Sequence, residues 1–409
     1  MSKLSEMIAT LCPNGVEYKK LGEIATDMYR GNGILRTQVT ETGVPCVRYG
    51  EIYTAYGIWF DHCISHTKME YVQSPKFIDK GDILFAITGE SVEEIAKSTA
   101  YVGEERCLAG GDIVVMKHNQ DPKYLSYALS TVDAQRQKSK GKVKSKVVHS
   151  SVPSIKDITI PLPPLPIQRE IVQILDNFAN LTAELTAELT AELAKRKKQY
   201  EHYRDMLLNF EGGGRYDKFG VESGEFRVEW KRLGEIIESG AINMMRGDYI
   251  TKKEAAPGEI PVILGGQEPA YFINRFNHEG KAIVISRSGA SAGFVSYWNE
   301  PIFVTDGFAF DCDESRLNTR YLFHWMKNNQ ARLNGMKKGG GVPHITGENL
   351  KSLEIPLPPL AEQERIVAIL DRFDSLCNSL TEGLPAEIAL RKKQYEYYRD
   401  RLLSFKEVG

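Results

Sequence analysis

The sequence predicts an α+β protein in which two mixed α/β domains are joined by two long antiparallel coiled-coil helices with pseudo-twofold symmetry. Three observations carry this prediction. Residues 147–210 recur as residues 342–405, 195 positions further on and without a gap between the matching blocks. Ile-Pro-Leu-Pro-Pro-Leu at 160–165 returns at 355–360, and Arg-Lys-Lys-Gln-Tyr-Glu at 196–201 returns at 391–396. Within the repeat, apolar residues step by three and four as on a helix, whereas outside it short β-rich runs alternate with Gly and Asn turns. A shorter echo opens each half: residues 16–24 match residues 228–236. Between the echoes and the arms the halves barely resemble each other. Arms that stay constant while domains diverge preserve a geometry and change a content.

The elements follow in order. Residues 1–159 form a first domain with strand-like runs such as 82–87. Pro161, Pro163, Pro164 and Pro166 make a stiff extended lead-in, because proline fixes φ and removes a donor, and the first arm, 160–210, becomes helical just after it. Ile171, Ile174, Phe178, Leu181 and Leu185 form a heptad seam, and Ile366, Ile369, Phe373, Leu376 and Leu380 repeat it in the second arm, 355–409. Thr-Ala-Glu-Leu occurs three times in succession, at 182–193, and steps its leucines by four. Such a stutter is absorbed by local unwinding, and the good helix formers keep the helix running. The matching part of the second arm carries Gly383 and Pro385, which should kink or interrupt it. A Gly-rich linker is expected at 211–227, and a second domain at 228–354 with strands near 282–286 and 301–304.

Composition narrows the class. A length of 409 residues with 42% hydrophobic content suffices for several buried cores. A formal charge of −2 rules out a globally basic coat, so any nucleic-acid contact must come from local patches. Six cysteines without close pairs fit a reducing cytoplasm and argue against a disulfide framework or zinc ribbon. No apolar run reaches the ~18 residues of a membrane span, so an intracellular, cytoplasmic protein is expected.

Motifs for chemistry are missing. There is no Gly-x-x-x-x-Gly-Lys-Ser/Thr phosphate loop and no Asn/Asp-Pro-Pro-Tyr/Phe tetrapeptide; Asp121-Pro122-Lys123-Tyr124 fails at Lys123. His62, Cys63 and His66 lie too close in sequence for an ordinary zinc site. Gly289-Ala290-Ser291-Ala292-Gly293 matches a nucleophile elbow in letters, but residues 294–298 read as a strand where a helix is required. No catalytic or metal-binding residue is therefore expected.

The paired proline segments, the Arg-Lys-Lys-Gln-Tyr blocks, the two Leu-Gly-Glu-Ile openings and the Thr-Ala-Glu-Leu units together resemble the DNA specificity subunit of type I restriction-modification systems, over nearly the whole chain. The resemblance implies two target recognition domains, each reading one half of a split asymmetric site, on helices that set the spacing and bind two modification subunits. It implies no cofactor in this chain. S-adenosylmethionine, ATP and Mg would belong to the partners, which methylate adenine and, with restriction subunits, cleave DNA. The Thr-Ala-Glu-Leu units look like the branch in which repeat number tunes the gap.

Within that frame the basic run Arg136, Lys138, Lys140, Lys142, Lys144 and Lys146, free of acidic residues, suits phosphates. Its counterpart is Lys337 and Lys338 followed by Gly339–341, where glycine lets backbone N–H groups approach a phosphate. His149 and His344 sit beside these loops at the repeat offset. For base reading Arg30, Arg48 and Arg106 are candidates in the first domain, and Arg246, Arg275 and Arg287 in the second, Arg287 foremost because it joins a strand to the Ser288-Gly289 turn. The basic blocks 195–198 and 391–393, near-identical beside divergent readers, suggest a common partner surface, used twice. Rival readings are a stand-alone DNA-binding protein and a scaffold that binds proteins.

Overall fold

The two pieces of sequence that recur in both halves meet each other. Tyr18–Lys20 pairs antiparallel with Thr159–Pro161, and Glu229–Arg232 pairs in the same way with Glu354–Leu357. The proline lead-ins can serve as strands here because each ribbon has only two strands, both edges. A short helix follows each opening strand, Leu21–Ile24 or Leu233–Glu238. Its first turn is closed by a glutamate that accepts from the backbone before it: Lys20 N to Glu23 Oε2 at 3.0 Å and Arg232 N to Glu235 Oε2 at 3.2 Å. The recurring Leu-Gly-Glu-Ile is thus a helix start.

The structure, a computed structural model, describes residues 2–140, 142–143, 146–210, 227–251, 256–264, 268–338, 342–379 and 381–408. Apart from Arg227, the expected linker lies outside the described residues, as do Lys144 and Gly339–341. The chain divides into two compact units, residues 1–188 with 388–409, and residues 189–387. The first unit holds two five-stranded sheets. One has the order Ala25–Arg30, Ile113–His118, Ile83–Ala86, Ser98–Tyr101, Trp59–Phe60, and the other Val39–Thr40, Ser65–Thr67, Val44–Val47, Cys107–Ala109, Phe77–Ile78. The second unit repeats the framework in shorter form: Ile242–Arg246, Gly307–Cys312, Lys281–Ser286, Val295–Asn299, and Tyr271–Ile273, Ile260–Ile263, Phe303–Val304. Val295–Asn299 is a strand, so the Gly289 to Gly293 stretch is a turn between strands. This is the α+β fold expected, with β-rich domains on long helices.

The first arm is one 44-residue helix, Leu165–Leu208, uninterrupted through the Thr-Ala-Glu-Leu units. It begins inside the proline run, with Pro166 in its first turn, where the missing N–H costs nothing. The second arm is broken into Leu360–Asn378 and Leu384–Leu402. Gly383 lies in the break with φ +85°, and a Cβ there would come within 2.6 Å of the Ser375 carbonyl. Pro385 falls in the first turn of the new helix.

Within each unit the arms pack antiparallel. In the first, Ile171 and Leu175 share a core with Leu403, while Phe178 meets Tyr395 and Tyr398 at ring distances of 5.6 and 5.7 Å. In the second, Ile366 and Leu370 share a core with Leu207 and Leu208, and Phe373 meets Tyr200 and Tyr203. The heptad reading needs one correction: Leu181 is 63% exposed. The arm's buried face starts from Ile167, Ile171 and Leu175, a four-residue step, because that stretch packs into the domain core as well as on the other arm. Leu380 lies outside the described residues.

Matching side chains anchor each domain to its arm. The buried amide of Gln168 donates to Pro163 O and accepts from Asp121 N; Gln363 does the same with Pro358 O and Asn318 N. Tyr124 and Tyr321 donate to the carbonyls of Pro161 and Pro356, each at 2.9 Å. Asp176 accepts from Lys123 and the Tyr127 hydroxyl, while Asp371 accepts from Arg320 and His324. Docking is thus conserved in position and altered in chemistry. Among the described residues no helix is long and apolar enough to cross a membrane.

Candidate nucleic-acid interface

In both domains a corner forms where the central strands end. In the first domain Ile83–Ala86 runs into Thr88 and Gly89, which pair with Val148 and His149; Thr88 Oγ1 lies 3.2 Å from His149 Nδ1. In the second, Lys281–Ser286 runs into Arg287 and Ser288, and Ser288 bridges His344, which also bridges Lys338. His149, His344 and Lys338 are exposed. The shared offset of the two histidines therefore corresponds to a shared place.

The residue opening the neighbouring strand has an unusual backbone. Asp112 and Asp306 take φ values of 60° and 45°, a region that asparagine and aspartate tolerate better than most residues. Their carbonyls accept from Ile87 N and Arg287 N at 2.9 Å each, and their carboxylates hold arginines. Asp112 pairs with Arg30; Asp306 Oδ1 pairs with Arg287 Nε at 2.8 Å, and its Oδ2 accepts from Ser288. Neither aspartate stood out in the sequence. What selects them is a left-handed φ at a strand start, which single residues do not announce.

The other expected contacts scatter. Arg246 ends its strand at the same corner, exposed, with no side-chain partner among the described residues. Lys337 donates to Ala290 O at 2.8 Å, beside the turn. Arg48 precedes a helix and is tied to the buried Glu51 at 2.7 Å. Arg106 lies over the Phe77 ring, 4.2 Å from its centroid, and pairs with Asp79, and Arg275 lies over Phe303. Lys140 and Lys146 are exposed and Lys142 half-buried. Lys146 lines a cleft of about 420 Å³ with Tyr49, Tyr53 and Gly89. Among the described residues no set of three His, Cys, Asp or Glu side chains is arranged to hold a metal.

Lys138 has to be withdrawn from the phosphate set. It is only 4% exposed, and its Nζ donates inward to Ser98 Oγ and Leu129 O. The helix Val132–Ser139 turns this one lysine of the basic run toward the core. Burial pushes its ammonium down to about 7. Since an unfolded lysine titrates near ~10.4, the unfolded chain binds more protons between those values, and the first domain gains stability as pH rises through that window. Lys138→Met is expected to flatten the gain. Urea unfolding of the first domain at pH 7 and pH 9 measures it, and an unchanged pH slope in the variant would place the titrating group elsewhere.

Residues 13–195 and 227–390 match the type I restriction modification DNA specificity domain. The chain belongs to the type I restriction-modification specificity subunit family. It is 36% identical over 319 residues to the EcoR124I/EcoR124II specificity subunit of Escherichia coli, covering 69% of this chain and 70% of that protein. A protein of Haemophilus influenzae assigned as a type I restriction enzyme specificity subunit is 37% identical over 284 residues, 65% of this chain and 68% of that one. Among solved structures, a chain from a type I restriction-modification assembly matches with a TM-score of 0.65 and 18% identity, covering 96% of this chain and 98% of that chain. The HsdS subunit of Thermoanaerobacter tengcongensis matches at 0.52, again with 18% identity and 96% of each chain covered. At that identity the structural likeness bears on the fold alone. As a specificity subunit this chain is the DNA-binding, non-catalytic member of a type I complex, and its two β-rich domains are its target recognition domains.

Proposed function

We propose that the two target recognition domains, with limits near 1–159 and 228–354, each read one half of a split asymmetric DNA site, while the arms fix the gap and dock two modification subunits. The observation that carries this reading is the pair of corners: one strand framework, one left-handed aspartate in each, and different side chains around it. A shared frame with altered contents suits two readers of different sequences. Lys140, Lys142, Lys144 and Lys146 on one side, and Lys337 and Lys338 on the other, would supply phosphate contacts that position without specifying. His149 and His344 flank them. Arg48, Arg106, Arg246 and Arg287 remain the base-reading set.

The arms support the partner assignment. Lys197, Lys198, Lys392 and Lys393 are exposed in the identical blocks 196–201 and 391–396, which suits one kind of partner bound twice. Those modification subunits would carry S-adenosylmethionine, and restriction subunits would add ATP- and Mg-dependent cleavage, all in the cytoplasm. The Thr-Ala-Glu-Leu units, carried on one continuous helix, support a place in the branch whose repeat number would set the gap.

Exchanging residues 237–341 for the equivalent segment of another specificity subunit is expected to change one half-site and leave the other. Methylation mapped across a genome before and after the exchange reads this directly. Alteration of both half-sites would refute separate readers.

A further inference from the structure

Strand register makes the two corners comparable residue by residue. Arg30 faces Val114 across an antiparallel pair, one step beyond Ile113; Arg246 faces Phe308, one step beyond Gly307. Ala86 pairs with Ile113, as Ser286 pairs with Gly307. Hence Arg30 corresponds to Arg246, Asp112 to Asp306, Ile87 to Arg287 and Thr88 to Ser288. The aspartate is constant, but it holds a different arginine in each domain.

The atoms used differ as well. Asp112 takes Arg30 by its Nη2, which occupies one prong of the guanidinium fork. Asp306 takes Arg287 by Nε at 2.8 Å, and no hydrogen bond among the described residues uses either Nη of Arg287. The second oxygen of Asp306 is committed to Ser288. Backbone clamps complete the mount: Arg287 N donates to Asp306 O at 2.9 Å, and Ile345 N donates to Arg287 O at 2.8 Å. The arginine side chain is 34% exposed. Its rotamer is therefore fixed before DNA arrives, and its free edge presents two parallel N–H donors, the pattern that matches O6 and N7 of guanine in the major groove.

We infer that Asp306, with Ser288, is the positioning residue that makes Arg287 a guanine reader in the second domain, and that the first domain has no equivalent because Ile87 replaces the arginine. This rests on the split-site reading proposed above. Arg246, released from the aspartate, is left for a phosphate or a neighbouring base.

The test is the sequence preference of the full chain, assembled with its modification subunits, on duplexes with both half-sites randomised. Asp306→Asn tolerates the left-handed backbone but loses the charge that orients Arg287. Arg287→Lys keeps the charge and loses the fork. Both variants are expected to lose about 5- to 160-fold discrimination at one and the same G·C pair of one half-site, the span of a single bidentate contact. Preference at all other positions should be retained, with an unchanged melting temperature. A merely structural role for Asp306 would instead lower the melting temperature and weaken that half-site evenly, which overturns the inference. So does full retention of the guanine preference in Arg287→Lys, the deciding variant if Asp306→Asn fails to fold. A wild-type chain with no preference anywhere would remove the split-site reading itself, whereas a two-part preference that neither variant alters removes only the role of Asp306 and Arg287.

Discussion

Deleting residues 186–189, one Thr-Ala-Glu-Leu unit, is expected to narrow the gap between the two half-sites by one base pair while leaving both half-site sequences intact. The unit lies inside a continuous helix, so its loss should shorten the rod and not open a loop. Four residues remove roughly 6 Å of rise and shift the helix phase by about 40°. One base pair advances about 3.4 Å and turns about 34–36°. Rise alone would admit a change of one or two base pairs; the rotation selects one. The second arm can follow because it is already broken between Asn378 and Leu384, with Gly383 in the break. Methylation of duplexes that differ only in spacer length checks this, and an optimum that stays with the original spacer would deny the repeat its measuring role.

Asp371→Ala is expected to destabilise the second unit by about 2–3 kcal/mol, because it strips a hydrogen-bonding partner from a buried histidine. His324 is 1% exposed, and its Nε2 lies 2.6 Å from Asp371 Oδ1, which also accepts from Arg320 Nε at 2.8 Å. Burial pushes the Asp371 carboxyl up, but the His324 and Arg320 hydrogen bonds outweigh it and hold the group below its ordinary value. The stabilisation is therefore present above the unfolded carboxylate value of ~3.9 and is lost as pH falls through the lower folded one. Thermal unfolding at pH 7 should show the second unit melting several degrees lower, with the difference from wild type shrinking at low pH. A variant indistinguishable from wild type at pH 7 would mean that Arg320 and Asp374, 3.5 Å apart, hold the domain to its arm without Asp371.

Much of the scaffold was written in repeated letters. The constant offset predicted two equivalent arms, and Gly383 predicted the break in the second, because helix continuity depends on local backbone preferences. The proline segments read as extended for the same reason. Their pairing with the Leu-Gly-Glu-Ile openings was not legible, although both recur, since a ribbon joins residues about 140 and 125 positions apart and periodicity carries no information about partners. The heptad seam from Ile171 to Leu185 fails at Leu181, which is exposed, because a heptad describes a helix between helices and this one also lies on a domain.

The sequence by itself determined the class of this protein, a duplicated pair of helical arms bearing divergent domains, and the family follows from motifs whose order survives in one dimension. Only the tertiary structure decided which polar residues of the basic run face solvent and which face the protein. Lys138 and Lys140 are two positions apart on one basic run, yet one is buried against Ser98 and the other exposed, because Lys138 lies on the inward face of the helix Val132–Ser139 and Lys140 caps its end, where the backbone leaves the helix. Asp112 and Asp306 fall within one position of the arm offset, but the letters around them do not match, and strand register is what equates them. Charge and spacing are local properties. The commitment of a carboxylate to one arginine over another is set by which strand ends converge, and that is a property of the fold.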